Sequence, residues 1–217
     1  MLYLKERQEL CDVTQMIWDR WLTNAAGGNI TVKVTDNHWI MTPTLCAQQK
    51  HNRLLPEDIL VVDDTMTILE GNGKITRETN MHMGIYETDP RVKAVIHCHP
   101  KEIMPFAAMG IEMPLILENI KKLGSFPCLR FAPATTVELA EVVKEHVKGL
   151  VENGTSVPYG ALLREHGIIV ADTSLKKCYD IVERLESNAY TYIQSKVLEL
   201  TGHKWATVDN HNYNTEE

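Results

Sequence analysis

The sequence holds a His-x-His triplet, His97-Cys98-His99, preceded by the apolar Val95-Ile96 and closed by Pro100. Successive side chains on a strand point to opposite faces, so His97 and His99 project the same way and Cys98 the other. Two imidazoles on one rigid face make two corners of a metal site, although the spacing equally suits a hydrogen-bonded pair at a strand end. A third imidazole is offered by Arg164-Glu165-His166-Gly167, where His166 borders an apolar run and Gly167 lets another group approach closely. Judged alone, His166 reads as structural. Upstream of the triplet, Thr76-Arg77-Glu78 opens a helix, and Glu78 judged alone is an acid favoured by the helix dipole. In combination, one carboxylate and three imidazoles form a zinc set, and zinc so held is a Lewis acid able to polarise a carbonyl.

These residues need elements to carry them. Leu10, Val13, Ile17 and Trp21 share one helical face, which predicts an amphipathic helix from about Leu4 to Leu22. A Gly27-Gly28-Asn29 loop follows, then an alternating strand from Ile30 to Val34 and its hairpin partner from His38 to Thr42. Ile59 to Val62 and Thr65 to Leu69 continue a meander. Glu78 to Tyr86 reads as a helix ending before Asp89-Pro90, and Val92 to His99 as a core strand. Thr135-Thr136-Val137-Glu138 offers a capping box for a helix to about Val147. Ala161 to Val170 resembles one further core strand, and a last helix runs from about Ser174 to Leu200. Residues 1–200 are thus expected to form a single mixed α/β domain. Residues 201–217 lack helical periodicity and form a tail that is either frayed or ordered on another surface.

Composition sets the outer bounds. With 217 residues, 44% hydrophobic and 24% charged, the chain has ordinary globular proportions, which exclude collagenous and wholly disordered classes. Lysine and arginine total 22 against 29 acidic residues, and the formal charge of −7 argues against nucleic acid as a partner. The five scattered cysteines make a poor disulfide framework, so a cytoplasmic location is expected. No apolar run approaches the ~20 residues of a membrane span, and Met1 to Glu9 is charged where a secretory signal should turn apolar. Neither export nor a membrane is expected.

Taken in order, the motifs resemble those of the class II aldolase/adducin family. Ala26-Gly27-Gly28-Asn29-Ile30-Thr31 resembles its A-G-N-[IV]-S loop and Met41-Thr42-Pro43-Thr44 its I-T-P-T turn. Glu78 matches its acidic position, His97-Cys98-His99 its H-x-H strand and His166-Gly167 its H-G motif. Within the family the likeness is greatest to the L-fuculose-1-phosphate aldolases. The resemblance implies a three-layer α/β/α fold with a mainly antiparallel central sheet. It also implies one zinc ion per subunit, or another divalent ion, on Glu78, His97, His99 and His166, and a homotetramer with active sites between subunits.

For such an enzyme the substrate is a sugar phosphate, cleaved to dihydroxyacetone phosphate and an aldehyde, here L-lactaldehyde. A glutamate displaced by incoming substrate becomes a base beside the proton it must move, so Glu78 is both ligand and acid/base. Phosphate donors come from Gly28, Asn29, Thr44 and Thr76. Judged alone, the Gly27-Gly28-Asn29 loop is an ordinary turn. Paired serines usual before the glutamate are replaced by Thr76 and Arg77, so Arg77 is expected to add charge. Where related aldolases carry a tyrosine proton donor this chain has Glu118, and Tyr213 in the tail, a candidate lid, is a second candidate. A ribulose-5-phosphate 4-epimerase, another sugar-phosphate lyase of the superfamily and a non-catalytic adducin-like assembly module are the competing readings. Epimerases of the family typically carry aspartate where this chain has Glu78.

Overall fold

The computed structural model describes residues 1–205. Among these, eight strands form one sheet: β1 (Asn29–Lys33), β2 (His38–Met41), β3 (Leu60–Asp63), β4 (Ile68–Glu70), β5 (Ala94–Cys98), β6 (Cys128–Leu129), β7 (Tyr159–Leu163) and β8 (Gly167–Asp172). Their order is β4-β3-β2-β1-β5-β8-β7-β6, and every neighbouring pair is antiparallel except β6 with β7. The helices are α1 (Leu4–Asp19), α2 (Cys46–Lys50), α3 (Thr79–Thr88), α4 (Met104–Met109), α5 (Glu118–Lys121), α6 (Val137–Glu152) and α7 (Leu175–Leu200).

Alternation along the central strands divides the apolar interior in two. Ile30, Ile96, Ile168 and Val170 pack with Leu10 and Ile17 of α1 and Val182 and Leu185 of α7. Met41, Val95 and Ile169 face the other way, against Ile85 of α3 and Val143 of α6. Helices therefore cover both faces of the sheet, giving the expected three-layer α/β/α fold. Both faces of β5 and β8 are buried, which accounts for their nearly unbroken apolar sequence. Among the described residues no helix is long and apolar enough to cross a membrane.

The expected elements recur with several corrections. Ala161 to Val170 is not one strand but most of a hairpin, β7 and β8, joined at Arg164-Glu165-His166, where Glu165 takes a left-handed φ of 60°. Polar residues in the middle of that run mark the turn. The first helix ends at Asp19, short of Leu22, and β4 begins at Ile68 because Asp63 ties Thr65 and Thr67 into a turn. The cap of α6 is Thr136, whose hydroxyl accepts from the Leu139 amide at 3.2 Å, and the helix continues to Glu152. Thr135 adopts φ 65°, and Glu138 pairs with Arg130 at 2.8 Å in place of closing a capping box. Short elements α2, α4, α5 and β6 carry too few periods to announce themselves in sequence.

Candidate active site

Three neighbouring elements bring the site together. In β5, His97 shares the face of Val95, toward the α3/α6 side, while Cys98 is buried in the α1/α7 interior, and His99 follows immediately after the strand. His97 stands opposite Asn29 of β1 and Ile169 of β8 in the sheet register. His166 ends the turn before β8, and Glu78 occupies the N-cap position of α3. The three imidazoles offer nitrogens that all lie within 4.8 Å of one another. Glu78 bridges two of the rings: Oε2 is 3.3 Å from His97 Nε2 and Oε1 is 3.4 Å from His166 Nε2.

Two glycines make this packing feasible. A Cβ on Gly167 would stand 2.5 Å from His99 Cδ2 and 2.6 Å from the Cys98 carbonyl oxygen. At Gly28, with φ 117°, a Cβ would stand 3.0 Å from the His97 carbonyl oxygen, in a backbone region that L side chains avoid.

The protonation pattern suits metal ligation. His97 Nδ1 lies 2.8 Å from the Ile168 carbonyl oxygen, which can only accept, so Nδ1 carries the hydrogen and Nε2 presents its lone pair to the site. Burial, followed by the neighbouring His166, holds His97 well below the usual imidazole range. Burial and the other two rings push His99 down to about 3, and burial lowers His166. His97 Nε2, both His99 nitrogens and Glu78 Oε1 are buried with no hydrogen-bond partner among the described residues. Orphaned lone pairs on converging neutral imidazoles are costly unless a cation completes them. A donor set of imidazole nitrogens and a carboxylate fits a divalent ion, zinc included.

A cavity of about 120 Å³ opens over these groups. Gly28, Asn29, Thr44, Thr76 and Arg77, the expected phosphate residues, all line it together with Glu78, His99 and His166. His97 lies deeper. Asn29 Nδ2 donates to Glu78 Oε2 at 2.8 Å, and the buried Thr76 hydroxyl accepts from the Glu78 amide at 3.3 Å. Arg77 is exposed and makes no ion pair among the described residues. Glu118 is exposed at the first residue of α5 and does not line this cavity. Tyr213 lies outside the described residues.

Gln48 on α2 and Thr135 before α6 also line the cavity and were not anticipated. For Gln48 the sequence carries no signal, because α2 is a short helix started by Leu45 at φ 62°. For Thr135 the sequence signal is that of a helix cap, a role that Thr136 takes.

Residues 8–193 match the family model described as Class II Aldolase and Adducin N-terminal domain. The chain belongs to the class II aldolase/adducin family. The L-fuculose phosphate aldolase of Methanococcus vannielii is 32% identical over 190 residues, covering 86% of this chain and 93% of that protein. A 5-deoxy-D-ribulose 1-phosphate aldolase of Bacillus thuringiensis is 25% identical over 196 residues, covering 90% of this chain and 88% of that protein. Among solved structures, an L-fuculose 1-phosphate aldolase superposes with a TM-score of 0.76 at 25% identity, covering 88% of this chain and 86% of the other. This class II aldolase homologue thus shares its fold with a solved L-fuculose 1-phosphate aldolase.

Proposed function

We propose that the protein is a zinc-dependent aldolase that cleaves a ketose 1-phosphate, L-fuculose 1-phosphate above all, to dihydroxyacetone phosphate and L-lactaldehyde. The observation that carries this reading is the convergence on one carboxylate of three neutral imidazoles, each with a buried nitrogen that has no hydrogen-bond partner among the described residues, beside a cavity lined by the residues expected to bind phosphate. A zinc ion held by His97, His99, His166 and Glu78 supplies Lewis acidity toward the carbonyl and neighbouring hydroxyl of the sugar.

The chain's own residues do the rest. Arg77, with Thr44, Thr76, Asn29 and the Gly28 amide, holds the phosphate, Arg77 contributing the positive charge that the chain as a whole lacks. Glu78, steadied by Asn29 and carrying a proton taken from solvent, delivers that proton to the third carbon of the dihydroxyacetone phosphate fragment once the carbon–carbon bond has broken. The electron pair of that bond stays with this fragment. The hydroxyl on the aldehyde side loses its proton as it becomes a carbonyl. Glu118 is the candidate to take that proton and Tyr213 the alternative, in a homotetramer with active sites between subunits. A cytoplasmic location fits five free cysteines, four of them buried.

Incubation with L-fuculose 1-phosphate, 5-deoxy-D-ribulose 1-phosphate and L-ribulose 5-phosphate tests the reading. Release of dihydroxyacetone phosphate, fastest from L-fuculose 1-phosphate, is expected. Epimerisation of L-ribulose 5-phosphate without cleavage of either 1-phosphate would overturn it.

A further inference from the structure

Beneath the site, α3 is joined to β1 by a row of buried polar contacts. Asn29 and Thr31 share one face of β1, and Glu78, His82 and Tyr86 recur at four-residue steps along α3 and its cap. The two rows meet rung by rung. Asn29 Nδ2 donates to Glu78 Oε2 at 2.8 Å, Thr31 Oγ1 lies 3.0 Å from His82 Nδ1, and the Tyr86 hydroxyl donates to the Thr31 carbonyl at 2.9 Å. Tyr86 Oη is also 2.9 Å from Thr31 Oγ1.

His82 is the middle rung and is wholly buried. Its Nε2 has no hydrogen-bond partner among the described residues, and burial pushes the ring down to about 4, so it is neutral. A half-satisfied buried imidazole is a poor choice for stability, since an apolar side chain of similar size would avoid the unpaired nitrogen. What it adds is direction. Met81 and Ile85 of α3 pack through apolar contacts that set no register along the strand, and Glu87 pairs with Lys144 of α6, away from β1.

We propose that His82 is a positioning residue for Glu78: its bond to Thr31 fixes the register of α3 on β1 and thereby the reach of the Glu78 carboxylate toward His97 and His166. The inference rests on the reading of Glu78 as metal ligand and acid/base.

The test compares His82→Phe, His82→Asn and Thr31→Val in the full-length chain. Zn²⁺ affinity of the apo protein is measured by chelator competition, together with apo Tm, kcat and KM. In His82→Phe, Zn²⁺ affinity and kcat should each fall about 10–100-fold, the usual scale for groups that orient metal ligands, with KM little changed. His82→Asn, whose short amide reaches the place of Nδ1, should restore most of both. Thr31→Val removes the same contact from the other side, together with that to Tyr86 Oη, so combining it with His82→Phe should cost no more than the worse single change. A His82→Phe protein with wild-type affinity and kcat and only a lowered Tm would overturn the proposal, as would additive losses in the double variant. If His82→Phe does not fold, the nearly isosteric Thr31→Val decides: wild-type affinity and kcat there would equally overturn it. Should the wild type bind Zn²⁺ yet cleave no ketose phosphate, the aldolase reading fails while the affinity comparison still judges His82.

Discussion

Gly167 lies so close to His99 that a methyl group on its Cα would stand 2.5 Å from the imidazole Cδ2. The hairpin that delivers His166 therefore also leaves the space in which His99 sits, and the two histidines cannot be placed independently.

Gly167→Ala should move His99 or open the β5–β8 ladder. Overpacking of this kind costs about 1–3 kcal/mol, so Tm should fall, and bound metal should fall with it. Metal analysis beside a thermal melt checks this. A stable variant with full metal content would show that the close approach is dispensable.

Arg77→Gln should raise KM for the sugar phosphate with little change in kcat, because the charge contacts a group remote from the bond being broken. Losing a charged hydrogen bond is worth about 1.5–3 kcal/mol, hence roughly a 10- to 100-fold rise. Steady-state kinetics decide it. A fall in kcat at constant KM would instead place Arg77 near the reacting carbons.

Glu78→Gln keeps volume and one ligand oxygen but loses the basic carboxylate. Cleavage should drop roughly 10²–10⁴-fold with the metal retained. Metal content and dihydroxyacetone phosphate release, measured on one preparation, separate the two roles of Glu78. Complete loss of metal would make it mainly a ligand, and full activity would exclude it as acid/base.

The sequence made the chemistry more legible than the architecture around it. The grouping of His97 and His99 was readable because strand alternation is independent of context, and the shared cavity of Gly28, Asn29 and Thr44 because ordered motifs resembled a known family, with Thr76 and Arg77 placed by their position before Glu78. The hairpin at Arg164-Glu165-His166 was not, since its turn contains no glycine or proline and depends on a left-handed Glu165. Gln48 reaches the cavity from a helix too short for any periodicity to reveal. Glu118 illustrates the converse: its position in the motif order singled it out, yet in its own chain it does not line the cavity.

Acid stability should depend on Asp89. Burial raises its pKa, but Arg91 at 2.9 Å and the Tyr159 hydroxyl at 2.6 Å outweigh burial and hold it at about 2. A folded pKa below the unfolded value of about 3.9 stabilises the protein above that pH, and the contribution is lost as pH falls toward 2. About 2 kcal/mol is at stake. Asp89→Asn should lower Tm at pH 7 and flatten its decline between pH 5 and 2. An unchanged Tm at pH 7 would mean the cluster contributes nothing net.

The three histidines are predicted to hold a metal without which the chain cleaves no sugar phosphate. The most direct measurement is dihydroxyacetone phosphate release from L-fuculose 1-phosphate by metal-stripped protein, before and after adding back Zn²⁺, beside an elemental analysis of the protein as purified. About one divalent ion per chain, loss of release on stripping and its return with Zn²⁺ are predicted. Undiminished release by metal-free protein would contradict it.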